Sequence, residues 1–245
     1  MKLQKLSIVI PTFNEAKTIG EVIRRSADAV RKLGLLEEII VVDDGSTDDT
    51  RDKVQIPDVN IRYIKQEVNT GKGAALKRGF QSVTGEVIII QDADLEYDPA
   101  DYAQLLKPIQ EDRADVVYGS RFHGTHQRKL YFWHRLGNSA LTLLSNALTN
   151  LDLSDMETGY KVFRREVIER IRDHLHSKRF GIEPELTARV ARGKLVLPDG
   201  SQSKWRVYEV PINYYGRTYE EGKKIGWRDG IAAIWAILRF NLWDT

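Results

Sequence analysis

The 245-residue sequence contains no cysteine, which excludes disulfide bonds, thiol nucleophiles and cysteine-ligated zinc. Long hydrophobic runs are also missing, since the longest apolar stretch, residues 231–238, is far shorter than the roughly 18 residues of a membrane span. No secretion signal is predicted, because Pro11 and Asn14 interrupt the first apolar segment. From these absences we expect a cytoplasmic protein that does not cross a bilayer.

An excess of one charge sign is absent as well. The 37 Lys and Arg nearly balance the 35 Asp and Glu, so nucleic acid is not an expected partner. The charge is uneven along the chain: residues 1–120 have 16 basic and 21 acidic side chains, net −5, whereas residues 121–245 have 21 and 14, net +7. This division predicts a bound cation in the first half and an anionic ligand in the second, although an ordinary solvated surface would also produce it.

Apolar segments of strand length alternate with segments of helical pattern in the first half of the chain. The predicted strands cover residues 6–10, 38–42, 61–64, 87–90 and 116–118. The predicted helices cover residues 17–33, 48–54, 73–83 and 99–111, followed by helices at 136–148 and 227–242. Three of the strands are apolar on both faces, as in a parallel sheet covered by helices on both sides. We therefore expect an α/β fold with a Rossmann-like, mostly parallel sheet flanked by helices.

Acidic residues follow two of the predicted strands, where open α/β sheets bind their ligands. Asp43 and Asp44 follow the second strand, and residues 92–96 follow the fourth. A GxGxxG fingerprint and a Walker lysine loop are absent, and the glycines on either side of Lys72 lack the required spacing. These absences argue against a dehydrogenase and a P-loop NTPase.

The acidic segment after the fourth strand predicts a metal site. If its backbone stays extended, the carboxylates of Asp92, Asp94 and Glu96 project to one side. Three like charges require a cation, and oxygen ligands suit Mg²⁺ or Mn²⁺, which complete their coordination with water and substrate phosphates. The alternative is an acidic surface loop in which Asp98 caps the next helix.

Seven motifs in order carry a resemblance to a known family. Four are PTFNE at residues 11–15, VVDDGSTDDT at 41–50, GKGAALKRG at 71–79 and QDADLEYDP at 91–99. Three are YGSRF at 118–122, DMETGYKVFRREV at 155–167 and EVPINYYGRTYEEGKK at 209–224. The first four resemble family-2 glycosyltransferases of the GT-A fold. The last three are similar to the branch that includes dolichyl-phosphate mannose and glucose synthases, and the resemblance spans about residues 6–225.

The resemblance implies where a nucleotide-sugar donor binds. Base and ribose are expected at Pro11, Phe13, Glu15, Val42 and Asp44. The family more often has Tyr at position 13, so only a ring contact remains there. Asp43 is expected to serve the turn before Gly45, and the same turn role is the alternative for Asp44. The metal and diphosphate are expected at Asp92, Ala93, Asp94 and Glu96, where mannose synthases often have Gln in place of Glu96. Lys72 is expected to neutralise a donor phosphate, with a solvated lysine as the alternative.

The resemblance also implies an anionic acceptor. A phosphomonoester, with a second pKa of about 6, is already largely a dianion and needs cations rather than a general base. The matching positions in the basic second half are Arg121, Arg135, Arg217 and Lys223, each of which could instead be a surface charge. Asp155 and Thr158 are expected near the sugar. Glu183 and Glu185 either recognise sugar hydroxyls or simply start a helix around Pro184.

Together these expectations describe a metal-dependent, inverting transferase. It would move a hexose from a UDP-glucose or GDP-mannose type of donor to a polyprenyl phosphate of the dolichyl or undecaprenyl kind. The alternatives are a family-2 glycosyltransferase with a hydroxyl acceptor and a non-catalytic protein that binds nucleotide-sugars. Residues 1–225 would form the GT-A domain, with a nucleotide-sugar half at 1–120 and an acceptor half at 121–225.

A lipid acceptor requires contact with a membrane surface. In the predicted helix at 227–242, large apolar residues share one face, and this segment at 226–245 is expected to lie on the cytoplasmic face of a membrane as an amphipathic helix. The alternative is a helix packed on the core, and Leu141, Leu144 and Leu148 of the 136–148 helix leave the same choice open. A membrane-anchored partner subunit is a further expectation.

Overall fold

The computed structural model describes residues 3–122, 128, 131–196, 200–218, 220 and 227–244. Its strands are β1 (Lys5–Thr12), β2 (Leu36–Asp43), β3 (Ile61–Lys65), β4 (Val87–Ile90), β5 (Val116–Ser120), β6 (Lys161–Arg164), β7 (Lys194–Val196), β8 (Gln202–Lys204) and β9 (Val207–Pro211). Its helices are α1 (Ile19–Lys32), α2 (Thr50–Lys53), α3 (Lys72–Phe80), α4 (Tyr102–Gln110), α5 (Phe132–Thr149), α6 (Arg165–Ile171), α7 (Ile182–Arg192) and α8 (Trp227–Leu242).

A seven-stranded sheet in the order β3-β2-β1-β4-β6-β5-β9 forms the centre of the molecule. Every pairing is parallel except those of β6, which runs antiparallel to both β4 and β5. Strands β1, β2 and β4 are buried almost throughout, because helices cover both faces of the sheet. The predicted α/β fold with a mostly parallel sheet is confirmed, whereas the short strands β6 and β9 were not predicted.

Two hydrophobic layers lie on opposite sides of this sheet. One layer contains buried residues of α1 and α4, such as Val22 and Leu105. The other contains buried residues of α3, α6 and α7, such as Phe80, Val167 and Leu186. The predicted helices are therefore present, with ends that differ by a few residues.

The boundaries of two helices differ from the prediction. The segment at 99–111 divides into a 3-10 turn, Pro99–Asp101, and α4. The Asp98 side chain caps this turn, since its Oδ1 accepts a hydrogen bond from the Ala100 N–H at 3.0 Å, as the capping alternative predicted. Helix α5 starts at Phe132 rather than at the predicted residue 136.

One face of helix α8 packs on the core, and large apolar side chains on another face are exposed. Ala233, Ala236 and Ile237 are buried, while Ile234 and Trp235 are 43% and 60% exposed. The apolar face predicted from the sequence is thus the exposed face. In α5 the three leucines 141, 144 and 148 pack against the core instead. Within the part of the chain that the structure describes, no helix has the length and apolarity required to span a membrane.

Candidate active site

The candidate site lies at the carboxyl edge of the parallel strands. Thr12 at the end of β1 pairs with Asp43 at the end of β2, and Val9 pairs with Ile90 at the end of β4. The segments that follow these three strands therefore leave the sheet at one edge. This register brings together the acidic and polar motifs that are far apart in sequence.

The acidic segment at residues 92–96 does not have the extended backbone that the metal prediction assumed. Leu95 adopts a left-handed conformation, with φ at +62°, so the alternation of side chains is broken between Asp94 and Glu96. Across the described residues, no group of three His, Cys, Asp or Glu side chains is arranged to hold a metal ion. The assumption of an extended backbone is therefore wrong, while the metal site at Asp92, Asp94 and Glu96 stays a prediction.

The three carboxylates bind cationic side chains, Asp92 that of Lys72 and both Asp94 and Glu96 that of Arg217. Asp92 Oδ1 lies 2.8 Å from Lys72 Nζ, and Asp94 Oδ2 lies 2.7 Å from Arg217 Nη2. Glu96 accepts hydrogen bonds from Arg217 Nε at 3.2 Å, from the Arg217 N–H at 2.9 Å and from the Tyr214 hydroxyl at 2.7 Å. Glu96 thereby anchors the segment at 214–217, which does not support its predicted role as third metal ligand.

A nearby cation favours the charged form of the Asp94 carboxyl group. Burial, together with the negative charges of Asp92 and Glu96, raises the pKa of Asp94 to about 7, although Arg217 acts in the opposite direction. Carboxylate oxygens from Asp92 and Asp94 match the ligands that Mg²⁺ and Mn²⁺ prefer, with water and phosphate oxygens supplying the rest. These two residues fit a divalent cation.

A buried chain of alternating charges continues from Asp92 into the protein. Lys72 Nζ also lies 3.0 Å from Glu183 Oε1, and Lys161 Nζ donates to Glu183 and to the Thr158 carbonyl. Burial lowers the pKa of Lys72, but the charges of Asp92 and Glu183 outweigh it and raise that pKa above its usual range. Lys72 is therefore an ion-paired residue of the site, and the alternative of a solvated lysine is wrong.

Arg121 and Asp155 form a buried bidentate ion pair beside this chain. Arg121 Nε and Nη2 each lie 2.7 Å from an Asp155 oxygen, and Asn138 donates to the same carboxylate at 3.1 Å. Burial would raise the pKa of Asp155, but Arg121 holds it below its usual value. The guanidinium carbon lies 5.4 Å from the centre of the Tyr214 ring, so both Asp155 and Tyr214 position the Arg121 side chain.

The residues predicted to hold base and ribose occupy the same edge, in different environments. Asp44 accepts hydrogen bonds from the N–H groups of Thr70 at 2.8 Å and Gly71 at 2.6 Å, and thereby holds the turn before α3. Val42 is fully buried, so only its backbone could contact a nucleotide. Pro11, Phe13 and Glu15 are partly exposed at the rim. Asp43 accepts from the Ser46 N–H at 2.7 Å, which confirms its turn role.

Three further predictions have different outcomes. Arg135 is exposed on α5, with its guanidinium carbon 5.6 Å from the centre of the Phe122 ring. Among the described residues, it takes no part in the ion pairs of Asp92, Asp94 and Glu96. Lys223 lies outside the described residues. Glu185 accepts from the N–H groups of His176 at 2.8 Å and Ser177 at 2.7 Å, which favours a structural role over contact with sugar hydroxyls.

Glycine at position 159 and its neighbour Tyr97 were missed by sequence reasoning. The Gly159 N–H donates to the Tyr97 hydroxyl at 2.7 Å, and a Cβ at Gly159 would lie 2.4 Å from Asp92 Oδ2. Ala93, the small residue between the two aspartates, is buried. The close approach of Gly159 to Asp92 leaves no local sequence signal, because the two residues come from distant segments.

A second residue missed from the sequence is Glu157. Its Oε1 is buried and has no hydrogen-bond partner among the described residues. Burial, with a further contribution from Glu183, raises the pKa of Glu157 to about 7. A carboxyl group in this state can exchange a proton near neutral pH.

Comparison with a solved structure concerns the fold. The structure is similar to that of glucosyl-3-phosphoglycerate synthase from Mycobacterium tuberculosis, crystallised with Mn²⁺, uridine-diphosphate and phosphoglyceric acid. The TM-score is 0.68 at 22% identity, over 98% of this chain and 79% of that chain. This similarity concerns the fold, which is the GT-A fold that the sequence motifs implied.

Sequence comparison gives closer relatives. A dolichol-phosphate mannosyltransferase from Pyrococcus furiosus is 31% identical over 91% of this chain. An undecaprenyl-phosphate 4-deoxy-4-formamido-L-arabinose transferase from Sodalis glossinidius is 30% identical over 81% of it. The chain spans 60% of the length of each of these relatives. The family described as "Glycosyl transferase family 2" matches residues 7–172, and this chain therefore belongs to family 2 of the glycosyltransferases.

Proposed function

We propose that the protein transfers a hexose from a nucleotide-diphosphate sugar to a polyprenyl phosphate in a metal-dependent, inverting reaction. The observation that carries this proposal is the pairing of Asp92 and Asp94 with Lys72 and Arg217 at the carboxyl edge of the sheet. An acidic pair suits a divalent cation, and the adjacent cations suit phosphate groups. The two relatives named for dolichol-phosphate and undecaprenyl-phosphate support the lipid-phosphate acceptor.

Each side chain has a defined task in this proposal. Asp92 and Asp94 would hold Mg²⁺ or Mn²⁺, which when bound neutralises the charge of the departing nucleoside diphosphate. Lys72 and Arg217 would bind phosphate oxygens of the donor. Arg121, fixed by Asp155, would face the acceptor phosphate, which attacks the anomeric carbon in a single displacement and so inverts its configuration.

A hydroxyl acceptor is the second candidate, and Glu157 is the observation that favours it. A hydroxyl needs a general base, and a buried carboxyl with a pKa of about 7 is suited to that task. Glu157→Gln separates the two candidates. Transfer to a phosphate acceptor should survive this substitution, whereas transfer to a hydroxyl should fall by about 10²-fold or more.

Two neighbouring helices supply the expected contact with a membrane. Helices α5 and α8 pack together, and each exposes large apolar side chains. On α5 these are Phe132, Trp133, Leu136 and Leu143; on α8 they are Ile231, Ile234, Trp235 and Leu242. Such side chains at the surface suit the interfacial region of a bilayer. Peripheral attachment to the cytoplasmic face, directly or beside a membrane-anchored subunit, follows from this proposal.

The decisive experiment incubates the purified protein with UDP- and GDP-sugars and a short polyprenyl phosphate, with and without EDTA. Product formation should require one donor class and should stop when EDTA removes the metal.

Asp94→Asn should abolish transfer and metal-dependent donor binding, while Asp28→Asn, an exposed change of equal charge on α1, should leave both intact. Arg135→Ala should mainly raise the KM for the lipid phosphate. Full activity in Asp94→Asn would refute the metal role.

A further inference from the structure

The acidic side chains of the site already have cationic partners supplied by the chain. Arg217 spans two of them, with Nη2 2.7 Å from Asp94 and Nε 3.2 Å from Glu96. Lys72 lies 2.8 Å from Asp92. The carboxylate oxygens that fit a divalent cation are thus the oxygens that these side chains contact.

The backbone of the Arg217 segment is held independently of the guanidinium. The Arg217 N–H donates to Glu96 Oε1 at 2.9 Å, and the Tyr215 N–H donates to the Glu96 carbonyl at 2.9 Å. The Tyr214 hydroxyl donates to Glu96 Oε2 at 2.7 Å. The side chain of Arg217 is partly exposed, so it can rotate away from Asp94 while its backbone stays in place.

A divalent cation and a guanidinium cannot both bind Asp94 closely without strong repulsion between their charges. The guanidinium needs another anion if it is to leave, because an unpaired charge in a partly buried site is unfavourable. A diphosphate provides one, since its oxygens accept the same forked hydrogen bonds as a carboxylate. The donor itself carries that group.

We propose that Arg217 is an exchangeable cation that moves from Asp94 and Glu96 to the donor diphosphate when the metal binds, with Lys72 as a second such cation on Asp92. The inference rests on the proposed function, because it assumes a metal-bound nucleotide diphosphate. The metal alone competes with Arg217, and the nucleotide removes the competitor. Metal and nucleotide therefore raise each other's affinity by the same factor.

The test measures Mn²⁺ binding by electron paramagnetic resonance, without any turnover, for the full chain alone and with UDP or GDP. In the unmodified protein, the matching nucleotide should tighten Mn²⁺ binding about tenfold or more. In Arg217→Gln, Mn²⁺ alone should bind about tenfold more tightly than in the unmodified protein, because its competitor is gone. The enhancement by nucleotide should shrink correspondingly.

Matched variants separate this effect from a general change of charge or fold. Arg25→Gln removes an exposed cation that is paired with Glu21 on α1, and should leave both Mn²⁺ affinities unchanged. Arg217→Lys keeps the positive charge but loses the forked hydrogen bonds of the guanidinium. Its Mn²⁺ affinity should lie between that of the unmodified protein and that of Arg217→Gln. Thermal unfolding followed by circular dichroism identifies any variant that fails to fold. The effect of nucleotide on Mn²⁺ affinity is measured in the unmodified protein and does not depend on any variant.

The possible outcomes have different meanings. Unchanged or weaker Mn²⁺ binding in folded Arg217→Gln overturns the exchange, as does equal Mn²⁺ affinity of the unmodified protein with and without nucleotide. Either result leaves the proposed metal-dependent transfer intact, provided that Asp94→Asn abolishes Mn²⁺ binding. Failure of the unmodified protein to bind Mn²⁺ with either nucleotide overturns both the exchange and the metal role.

Discussion

Among single residues, Gly159 has a tightly constrained position next to the acidic segment. A Cβ at this position would lie 2.4 Å from Asp92 Oδ2 and 3.0 Å from Tyr97 Cε2. Both neighbours are themselves bound, Asp92 to Lys72 and Tyr97 to the Gly159 N–H. Neither residue can make room for a Cβ without losing a contact. The Asp92 carboxylate can therefore lie where it does only because residue 159 has no side chain.

Gly159→Ala should therefore displace Asp92. We expect a loss of about 1–3 kcal/mol in unfolding free energy from overpacking, and a loss of at least about tenfold in metal-dependent donor binding. Urea unfolding and donor titration measure the two effects. Gly137→Ala is the matched control, because its Cβ would meet open space on the exposed side of α5. Donor binding by Gly159→Ala equal to that of the control would contradict the prediction.

Glu38 is a buried carboxylate at the opposite end of the sheet. It accepts hydrogen bonds from the Ser7 hydroxyl at 2.5 Å and the Thr84 N–H at 2.8 Å, and pairs with Lys5 at 3.2 Å. Burial opposes ionisation, but these donors outweigh it and lower the pKa of Glu38 below its model-compound value of 4.5. Because the pKa of Glu38 is lower in the folded protein, the stabilisation is fully present above the pKa of Glu38 in the unfolded chain. It is lost as the pH falls through the folded pKa.

Glu38→Gln should accordingly lower the unfolding free energy at pH 7 by about 1.5–3 kcal/mol, the usual contribution of a hydrogen-bonded charge. The difference from the unmodified protein should shrink as the pH falls below the usual glutamate pKa. Denaturant unfolding at several pH values measures this difference. Glu21→Gln, on the surface of α1, should change stability by less than about 0.5 kcal/mol at every pH. A pH-independent effect of Glu38→Gln would contradict the assignment.

Among the elements, helix α8 has two apolar faces with different tasks. Small residues such as Ala233 and Ala236 let the helix approach α7 closely, while Ile237 and Phe240 fill the space beneath. The opposite face exposes larger side chains, including Trp235, whose ring stacks on Trp243 with 5.9 Å between ring centres. Removing an exposed aromatic from this face should leave the packing intact.

A double substitution, Ile234→Ser with Trp235→Ser, tests the role of this face. Binding to phospholipid vesicles should fall about tenfold or more, because burial of one such side chain contributes about 1.5–3 kcal/mol. The thermal midpoint should change little, since both side chains are exposed. Leu36→Ser removes an apolar residue at the start of β2 that is 68% exposed, and should not affect vesicle binding. Equal loss in both proteins would indicate nonspecific adsorption.

At the scale of the whole molecule, the central sheet crosses the boundary between the two predicted halves. Strand β5 ends at Ser120, yet both of its neighbours, β6 and β9, come from later in the chain. The first half alone would leave β5 without its pairing partners and β4 without one of its two. The division into a donor half and an acceptor half remains a prediction about function, not about independent folding units.

A fragment of residues 1–120 should therefore not fold cooperatively. We expect a broad, non-sigmoidal thermal transition by circular dichroism, because the unpaired strand edges and the exposed second hydrophobic layer cannot be satisfied. The full chain should unfold in a single sharp transition under the same conditions. A sharp transition of the isolated fragment would show that the first half folds by itself.

The sequence alone determined the features that depend on neighbouring residues. The alternation of apolar strands and helices, the acidic strand ends at Asp44 and Asp94 and the family all follow from short motifs. The assumption of an extended backbone at residues 92–96 was wrong, because Leu95 adopts a left-handed conformation that has no clear local signature.

Only the tertiary structure decided which charges meet and which face of α8 is covered. Arg217 reaches Asp94, Lys72 reaches Glu183, and Gly159 approaches Asp92 across long intervals of sequence. Such contacts are set by the register of the sheet and the packing of whole helices, which no window of neighbouring residues contains. The same holds for helix α8, because its buried face is the one that packs against α7, and the sequence of α8 alone does not contain that contact.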